Sequence, residues 1–277
     1  MNPVPRYEDA KGLDIFRATG EQLVWRLWVP SRSEKPSAGW RWALFKDRAK
    51  HLRKAVKSAF DTTRHECALC GFQGPFSPSS TPTLPNSKCP SCGCSSRHRL
   101  IALAAAEIGV LAEAKQGHVL HFAAERCLRP LIMRAGPTKY VRADIEPTRG
   151  DIVLNIEALD LPHESYDLII CSHVLEHVDD GKALHELFRV LRRTGKLITM
   201  VPIIEGWKTT YENDSIRSWK ARKEHFGGGT HIRYYGRDFR DRLKSVGFDV
   251  REFCATPEQV ARYSLIRGER IFISTKP

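Results

Sequence analysis

From Gly117 onward the chain alternates short apolar runs with segments of mixed polarity. GHVLHFAAE (117–125) is an apolar run ending in small residues, and the following CLRPLIMRAG reads as a helix closing at Gly136. KYVRADIEP (139–147) is a second strand ending at Asp144, and DIVLNIEALDLP (151–162) a third ending near Asn155. SYDLIICSH (165–173) makes a fourth. VLEHVDDGKALHELFRVLRRTG is then helical and stops at Gly195, ahead of a fifth strand, KLITMVP (196–202). Short strands with helical crossovers predict an α/β domain built on a doubly wound, mostly parallel sheet. In such sheets ligands sit outside the carboxyl ends of the strands, where the strand order reverses.

Upstream the pattern changes, and three zones emerge: 1–64, 65–97 and 98–277. In the first, LVWRLWV (23–29) is too densely apolar for a clear period and suits a short strand. Trp42, Phe45, Ala49, Leu52 and Val56 then fall at helical spacing and predict a basic amphipathic helix. Such a helix docks on its own domain with a solvated basic face, or lies on anionic lipid or nucleic acid. The middle zone, CALCGFQGPFSPSSTPTLPNSKCPSCGC, is dense in Pro, Ser and Gly between pairs of cysteines.

Charge sharpens the choice of partners without making it. The chain has 277 residues and a net charge of +12, which favours anionic partners. Part of the excess is local: eight Lys/Arg against two Asp/Glu between Arg41 and Arg64, and nine against three between Arg217 and Lys244. No apolar run approaches the roughly 20 residues needed to cross a bilayer. The opening MNPVPRYEDAKGLD lacks the apolar core of a secretory signal. A cytoplasmic location is therefore expected, where eight cysteines need another explanation than disulfides.

Cys67-x-x-Cys70 and Cys89-x-x-Cys92, with 18 residues between the pairs, supply that explanation. Two intervening residues let one turn present both sulfurs to one ion, and two such turns complete a tetrahedral zinc site. Gly71 and Gly93 follow the pairs and suit the tight backbone of a metal knuckle, while Cys94 stands nearby as a spare. Four thiolates leave no open position, so this Zn2+ is expected to be structural. The ribbon either braces a domain or touches nucleic acid.

HVLEH (173–177) raises a different possibility, because His-x-x-Glu-His on a helix is the ligand-and-base pattern of an inverted zinc peptidase. Its context argues otherwise. The motif begins at the tip of the fourth strand, with no third ligand in evidence, and reads as the lip of a pocket.

The succession HVLHFAAE, YVRADIEP and LPHESYDLIICSHVLEHVDDGKALHELFRVLRRTGKLITMVP resembles the class I S-adenosylmethionine-dependent methyltransferases, especially their type 11 group. The resemblance covers about 117–275, since HFGGGTHIRYYGRDFRDRLKSVGFDV and GERIFISTKP look like the group's later helix and last two strands. It implies a seven-stranded Rossmann-like sheet and S-adenosylmethionine as cofactor. Carried over residue by residue, it makes Asp144 the acid that binds the ribose hydroxyls and sets Ile145 against the adenine. Asn155, with Ile156 beside it, takes the adenine amino group, and Cys171 and Ser172 line the pocket with His173. The family's first loop carries glycines. Here Ala123 and Glu125 hold those places, and His121 stands where an acid is common. Ala123 preserves a close approach; the Glu125 carboxylate is expected to receive the cofactor's ammonium group instead. Asp144 could otherwise simply cap a turn. Only about eleven residues separate it from Asn155, so the usual helix there is expected to be short or missing.

His173 and His177 are the candidate general bases, each alternatively an ordinary helix-face residue. With His231 they are consistent with methylation of a hydroxyl, which needs a base of near-neutral pKa. The expected acceptor is an oxygen of a small molecule or glycan. The alternatives are structured RNA gripped by the ribbon and the basic helix, and a non-catalytic binding protein with a degenerate cofactor loop. Peripheral membrane contact through the basic helix stays open as well.

Overall fold

A computed structural model describes residues 63–78 and 86–277; the strand expected at 23–29 and the basic helix expected after it lie outside these residues. Strands β1 (His65–Glu66) and β2 (Gln73–Gly74) form a small antiparallel hairpin in the cysteine module. Helix α1 (Ser96–Ile108) leads out of that module and ends at Gly109, whose φ of 62° is the left-handed cap a glycine adopts without strain.

The main sheet contains β3 (His118–Phe122), β4 (Lys139–Asp144), β5 (Ile152–Val153), β6 (Tyr166–Ser172), β7 (Leu191–Met200), β10 (Asp249–Cys254) and β11 (Arg270–Thr275). Its order is β10-β11-β7-β6-β3-β4-β5. The five strands from β7 to β5 pair in parallel, whereas β11 is antiparallel to both β7 and β10. This is the expected seven-stranded, mostly parallel α/β sheet. Having stepped outward from β3 to β4 and β5, the chain returns to lay β6 against the other side of β3. The order therefore reverses between β3 and β6, which puts a crevice at their carboxyl ends.

The central strands are buried on both faces, which explains their nearly unbroken apolar sequences. In β6, Ile169 and Cys171 face one core cluster, while Leu168 and Ile170 face the other. Helices α3 (Asp180–Val190) and α5 (Phe239–Ser245) cover the first face through Ala183, Leu184, Leu187, Val190, Phe239 and Leu243. The second face is covered by α1, with Leu128 and Ile132 at helix α2 (Arg129–Arg134) and Val260 of helix α6 (Pro257–Tyr263). Between β7 and α5, short strands β8 (Tyr211–Glu212) and β9 (Arg233–Tyr234) pair with each other, and helix α4 (Trp219–Phe226) lies between them in sequence. Among the described residues, no helix is long and apolar enough to cross a membrane.

Three boundaries differ from expectation. The helix expected to run to Gly195 starts only at Asp180, where the Asp179 side chain accepts from Lys182 N, and it ends at Val190. LRRTG belongs to β7, with a register shift against β6 and a left-handed Thr194 (φ 63°) whose N–H donates to Lys276 O at 2.8 Å. The apolar stripe stops at Val190, and beyond it tertiary pairing overrides the helical propensity of the two arginines. The helix expected up to Gly136 is only six residues long, with Pro130 in its first turn. The third strand pairs only through Ile152 and Val153, and no helix separates β4 from it.

A fully buried side chain is central among the contacts that fasten the cysteine module to the sheet domain, beside those of His65 with Ala261 O and of Arg262 with Glu66. Arg99 of α1 is fully buried, and its guanidinium donates to carbonyls on both sides. Nε donates to Tyr263 O (2.7 Å), Nη1 to Cys94 O (3.0 Å), and Nη2 to Ser264 O (2.7 Å), while both terminal nitrogens reach Ser87 O at 3.1 Å. Phe76 of the module packs on the guanidinium with its centroid 4.7 Å away. A lysine cannot span this planar set of acceptors. Arg99→Lys and Arg99→Met are both expected to lower unfolding free energy by about 3 kcal/mol, since each strands several buried carbonyls. The shift in urea midpoint measures it; full recovery in the lysine variant would contradict the planar requirement.

Candidate active site

At the carboxyl end of β3 the chain enters the loop in which the glycines were missing. Ala123 has φ 47°, a left-handed conformation that costs a residue with a Cβ about 1 kcal/mol. The backbone thus follows a path suited to glycine although alanine occupies it.

Neighbouring side chains hold that path. Glu125 Oε1 accepts from Arg97 Nε and His98 Nε2, both at 3.2 Å, and its Oε2 accepts from His121 Nε2 at 3.1 Å. His121 is fully buried; with Nε2–H turned to the carboxylate, its Nδ1 accepts from the Tyr140 hydroxyl at 3.0 Å. His98 Nδ1 accepts from Ser95 N at 3.1 Å, so the remaining proton sits on the nitrogen facing Glu125. Burial alone would raise the Glu125 carboxyl, but the hydrogen bonds from His121 and His98 outweigh it and hold the group well below the usual carboxylate range. Glu125 therefore has intramolecular partners at the place where an ammonium group was expected. Both of its oxygens are engaged inside the protein, so the carboxylate ties the loop to the first turn of α1.

Asp144 ends β4, and its Oδ1 accepts from Glu146 N at 2.9 Å, closing a tight turn. Beside it the apolar side chain of Ile145 is 68% exposed. Asn155 caps its own turn through Oδ1 to Glu157 N at 3.0 Å and is exposed. Ile156 is placed differently from expectation: its side chain is buried in the core with Leu154 and Leu159, as the turn at Asn155 points it inward. Cys171 is likewise fully buried in that cluster, where burial pushes its thiol up. Its neighbour Ser172 points to the opposite side of β6 and keeps a buried hydroxyl without a hydrogen-bond partner.

The HVLEH segment is not a regular helix. His173 is left-handed (φ 55°), its N–H held by Met200 O at 2.8 Å, and Leu175–His177 form a single 3₁₀ turn. The two imidazoles are therefore not stacked one helical turn apart, as a zinc peptidase requires. His173 Nδ1 meets Glu176 Oε1 at 3.1 Å. Glu176 is fully buried, yet the hydrogen bond from His173 overcomes the effect of burial and keeps its carboxyl below the ordinary value. His177 is paired with His231, their ring centroids 4.7 Å apart in an edge-on contact.

A polar cluster under this lip gave no signal in the sequence. Asp180 accepts from the Tyr235 hydroxyl (3.0 Å) and from Arg242 Nη1 (3.0 Å), and lies 3.3 Å from Arg233 Nη1. Arg233 also donates to the carbonyls of Leu175, the first residue of the 3₁₀ turn, and Val178, the residue that follows it. Asp180, Leu175 and Val178 are all over 50 residues away, and only the fold brings them to Arg233.

In the cysteine module Cys70 Sγ lies 3.7 Å from Cys89 Sγ, and Cys67 Sγ lies 3.7 Å from Cys92 Sγ. A tetrahedron with Zn–S bonds of about 2.3 Å has edges of about 3.8 Å. Cys94, the spare of the sequence, joins the cluster at 3.4 Å from Cys67. The sulfurs of Cys67, Cys89, Cys92 and Cys94 all lie within 4.8 Å of one another. Two matching knuckles build the centre: Gly71 N donates to Cys67 O and Gly93 N to Cys89 O, with Gly71 and Gly93 left-handed at φ 74° and 70°.

Glu125 links stability to pH with a definite sign. Its folded carboxyl titrates below the unfolded value of about 4.3, so its contribution is complete above that pH and is lost as pH falls further. Wild type is expected to be more stable than Glu125→Gln at pH 7, with the gap closing below about pH 4. Urea midpoints across that range measure it, and a constant gap would disprove the linkage.

Residues 120–199 match the family model described as a methyltransferase domain. A 50-residue stretch, 18% of this chain, is 46% identical to an uncharacterised protein of Methanocaldococcus jannaschii and covers 22% of that protein's length. Among solved structures, an S-adenosylmethionine-dependent methyltransferase from Mesorhizobium loti aligns with a TM-score of 0.45 at 16% identity, over 60% of this chain and 93% of its own. One from Archaeoglobus fulgidus aligns with a TM-score of 0.44 at 16% identity, over 66% and 95%. Residues 120–199, from within β3 to near the end of β7, are therefore similar to a methyltransferase domain, and the chain spans less than a quarter of the curated relative it matches.

Proposed function

We propose that this domain transfers the methyl group of S-adenosylmethionine to a hydroxyl oxygen of a small molecule or glycan, with His173 as the general base. The observation that carries the reading is the His173–Glu176 pair, 3.1 Å apart, at the carboxyl end of β6.

The crevice has the features the cofactor needs. Asp144 has one carboxylate oxygen in its own turn and the other available to the ribose hydroxyls, and the exposed Ile145 side chain offers an apolar face to a purine. Ala123 keeps the left-handed path that brings backbone close to a ligand, and the buried Ser172 hydroxyl has an unused hydrogen bond on the side of β6 away from Cys171. Asn155 supplies an amide at the adenine end. When bound, the cofactor supplies a methyl carbon activated by positive sulfur; the protein's work is to align the acceptor and receive its proton. With Nδ1–H donated to Glu176, His173 has Nε2 as a lone-pair acceptor for the proton of a hydroxyl. The Glu176 carboxylate then stabilises the imidazolium that forms. His173 is partly exposed, so an acceptor can reach it. Trp219, 48% exposed, lies over Gly229, two residues from His231, and its flat apolar face suits a sugar or aromatic ring.

In the same reading the cysteine centre holds one structural Zn2+ through Cys67, Cys70, Cys89 and Cys92, with Cys94 beside them. The ion braces α1, and α1 in turn holds the cofactor loop through Glu125.

Calorimetric titration of zinc-replete protein with S-adenosylmethionine tests the cofactor half. Saturable binding is expected, weakened roughly 10- to 100-fold in Asp144→Ala by loss of charge-assisted hydrogen bonds; equal affinity in the variant would remove Asp144 from the site. For the acceptor half, His173→Ala is expected to lose on the order of 100-fold or more in kcat on a hydroxyl acceptor while cofactor affinity holds. An undiminished kcat would eliminate His173 as base.

A further inference from the structure

Beyond the methyl-transfer site, we infer that Glu176, His177 and His231 form a second metal site, for one divalent first-row transition ion such as Zn2+, Co2+ or Fe2+. A carboxylate oxygen of Glu176 and a ring nitrogen of each histidine lie within 4.8 Å of one another. This centre is distinct from the cysteine module, and its residues come from two segments far apart in sequence, 176–177 and 231.

Three independent features prepare the donors. The first is the carboxylate. Glu176 is fully buried, and while Oε1 holds His173, Oε2 is buried with no hydrogen-bond partner. A buried anionic oxygen without a partner is costly, and a bound cation removes that cost. Secondly, the tautomers are fixed. His177 Nδ1 faces Thr230 O at 3.3 Å, and His231 Nδ1 faces Phe226 O at 3.0 Å. A carbonyl only accepts, so each Nδ1 carries the proton and each Nε2 carries a free lone pair. This is the orientation given to metal-binding histidines, whose second nitrogen is tied to a carbonyl or carboxylate.

The third feature is the backbone that positions His231. A Cβ on Gly228 would lie 2.6 Å from His231 Nε2 and Cδ2, so the ring lies directly across a residue that must be glycine. Ile232 N donates to Glu176 O at 2.9 Å, which joins the two ligand segments beside the donors.

Two imidazoles and one carboxylate make a three-ligand set that leaves positions open, the pattern of a reactive site and not of a closed structural one. Imidazole donors select transition ions over Mg2+. Coordinated atoms at bond lengths of about 2.0–2.2 Å sit about 3–3.5 Å apart, so the donors must close slightly. His177 is exposed and free to supply that movement. Because Glu176 also orients His173, the ion would sit beside the proposed base, where its open positions suit an acceptor that offers two neighbouring oxygens. Only this last assignment of acceptor rests on the methyl-transfer reading; the metal site does not.

Cobalt titration of protein carrying one equivalent of zinc, enough for the cysteine centre alone, tests the site without cofactor or acceptor. One equivalent of Co2+ is expected to give visible d–d bands without the near-ultraviolet thiolate charge transfer that a cysteine site would produce. His177→Ala and His231→Ala should each weaken binding at least about tenfold. His177 is exposed, so its variant keeps the proposal testable if the other fails to fold. Absence of the bands in wild type, bands accompanied only by thiolate charge transfer, or bands that persist in both variants would overturn the proposal. Cobalt binding in a protein that fails to bind S-adenosylmethionine would leave the metal site standing and remove the methyl-transfer reading.

Discussion

The docking of the cysteine module depends on a buried cation that, among the described residues, is held chiefly by backbone carbonyls. Arg99 enters the interior of the protein and is satisfied by carbonyls of Ser87, Cys94, Tyr263 and Ser264, which belong to two parts of the chain far apart in sequence. Burying a charge without full hydrogen bonding is among the most costly changes a fold can make. The two parts must therefore come together in one geometry, with all acceptors present, or not at all. A hydrophobic contact of the same area would tolerate sliding; this arrangement does not. It explains how a module with few apolar residues is held in register on the sheet.

That register matters at the cofactor loop. Arg97 and His98 are neighbours of Arg99 in the first turn of α1, and they reach Glu125 from there. The usual glycines of this loop allow a tight path by removing side chains. Here alanine takes the left-handed position, and the path is secured by a buried carboxylate with partners on two sides. The strain at Ala123 is of order 1 kcal/mol, whereas hydrogen bonds to a charged group contribute about 1.5–3 kcal/mol each. The clamp is the larger effect. The loop without glycines is thus matched by a carboxylate clamp, which ties it to α1 and through α1 to the cysteine module.

Much of this was legible in the chain. Strands β3 and β6 are apolar and buried on both faces, and Asp144 falls at the tip of β4 because a tight turn follows it, with Asn155 in the turn just beyond β5. The paired cysteines announced their knuckles through spacing and the following glycines. The rest was hidden for physical reasons. Cys94 joins the cluster because a knuckle turns back on itself, and a spacing rule that counts pairs passes over it. Glu125 offered an unpaired charge in a cofactor loop until the fold placed His98, 27 residues earlier, against it. The end of α3 at Val190 is set by pairing of Leu191 with Tyr166, and two arginines of good helical propensity gave no warning. The basic helix expected from Trp42 to Val56 lies outside the described residues.

HVLEH shows most directly how local pattern and tertiary structure divide the work. As a helix it would present two histidines to one ion. A left-handed His173 breaks that helix before it begins, sending the first imidazole to Glu176 Oε1 and leaving His177 to meet His231 from a distant loop. One buried carboxylate thereby stands beside three imidazoles, holding His173 with one oxygen while the other has no hydrogen-bond partner. Arg233, anchored on Asp180, clamps the carbonyls of Leu175 and Val178 and fixes the turn in which Glu176 sits. A carboxylate placed with this much support, and with one oxygen unpartnered, is poorly explained as packing alone. It is accounted for when a proton and a cation are the species it holds in place.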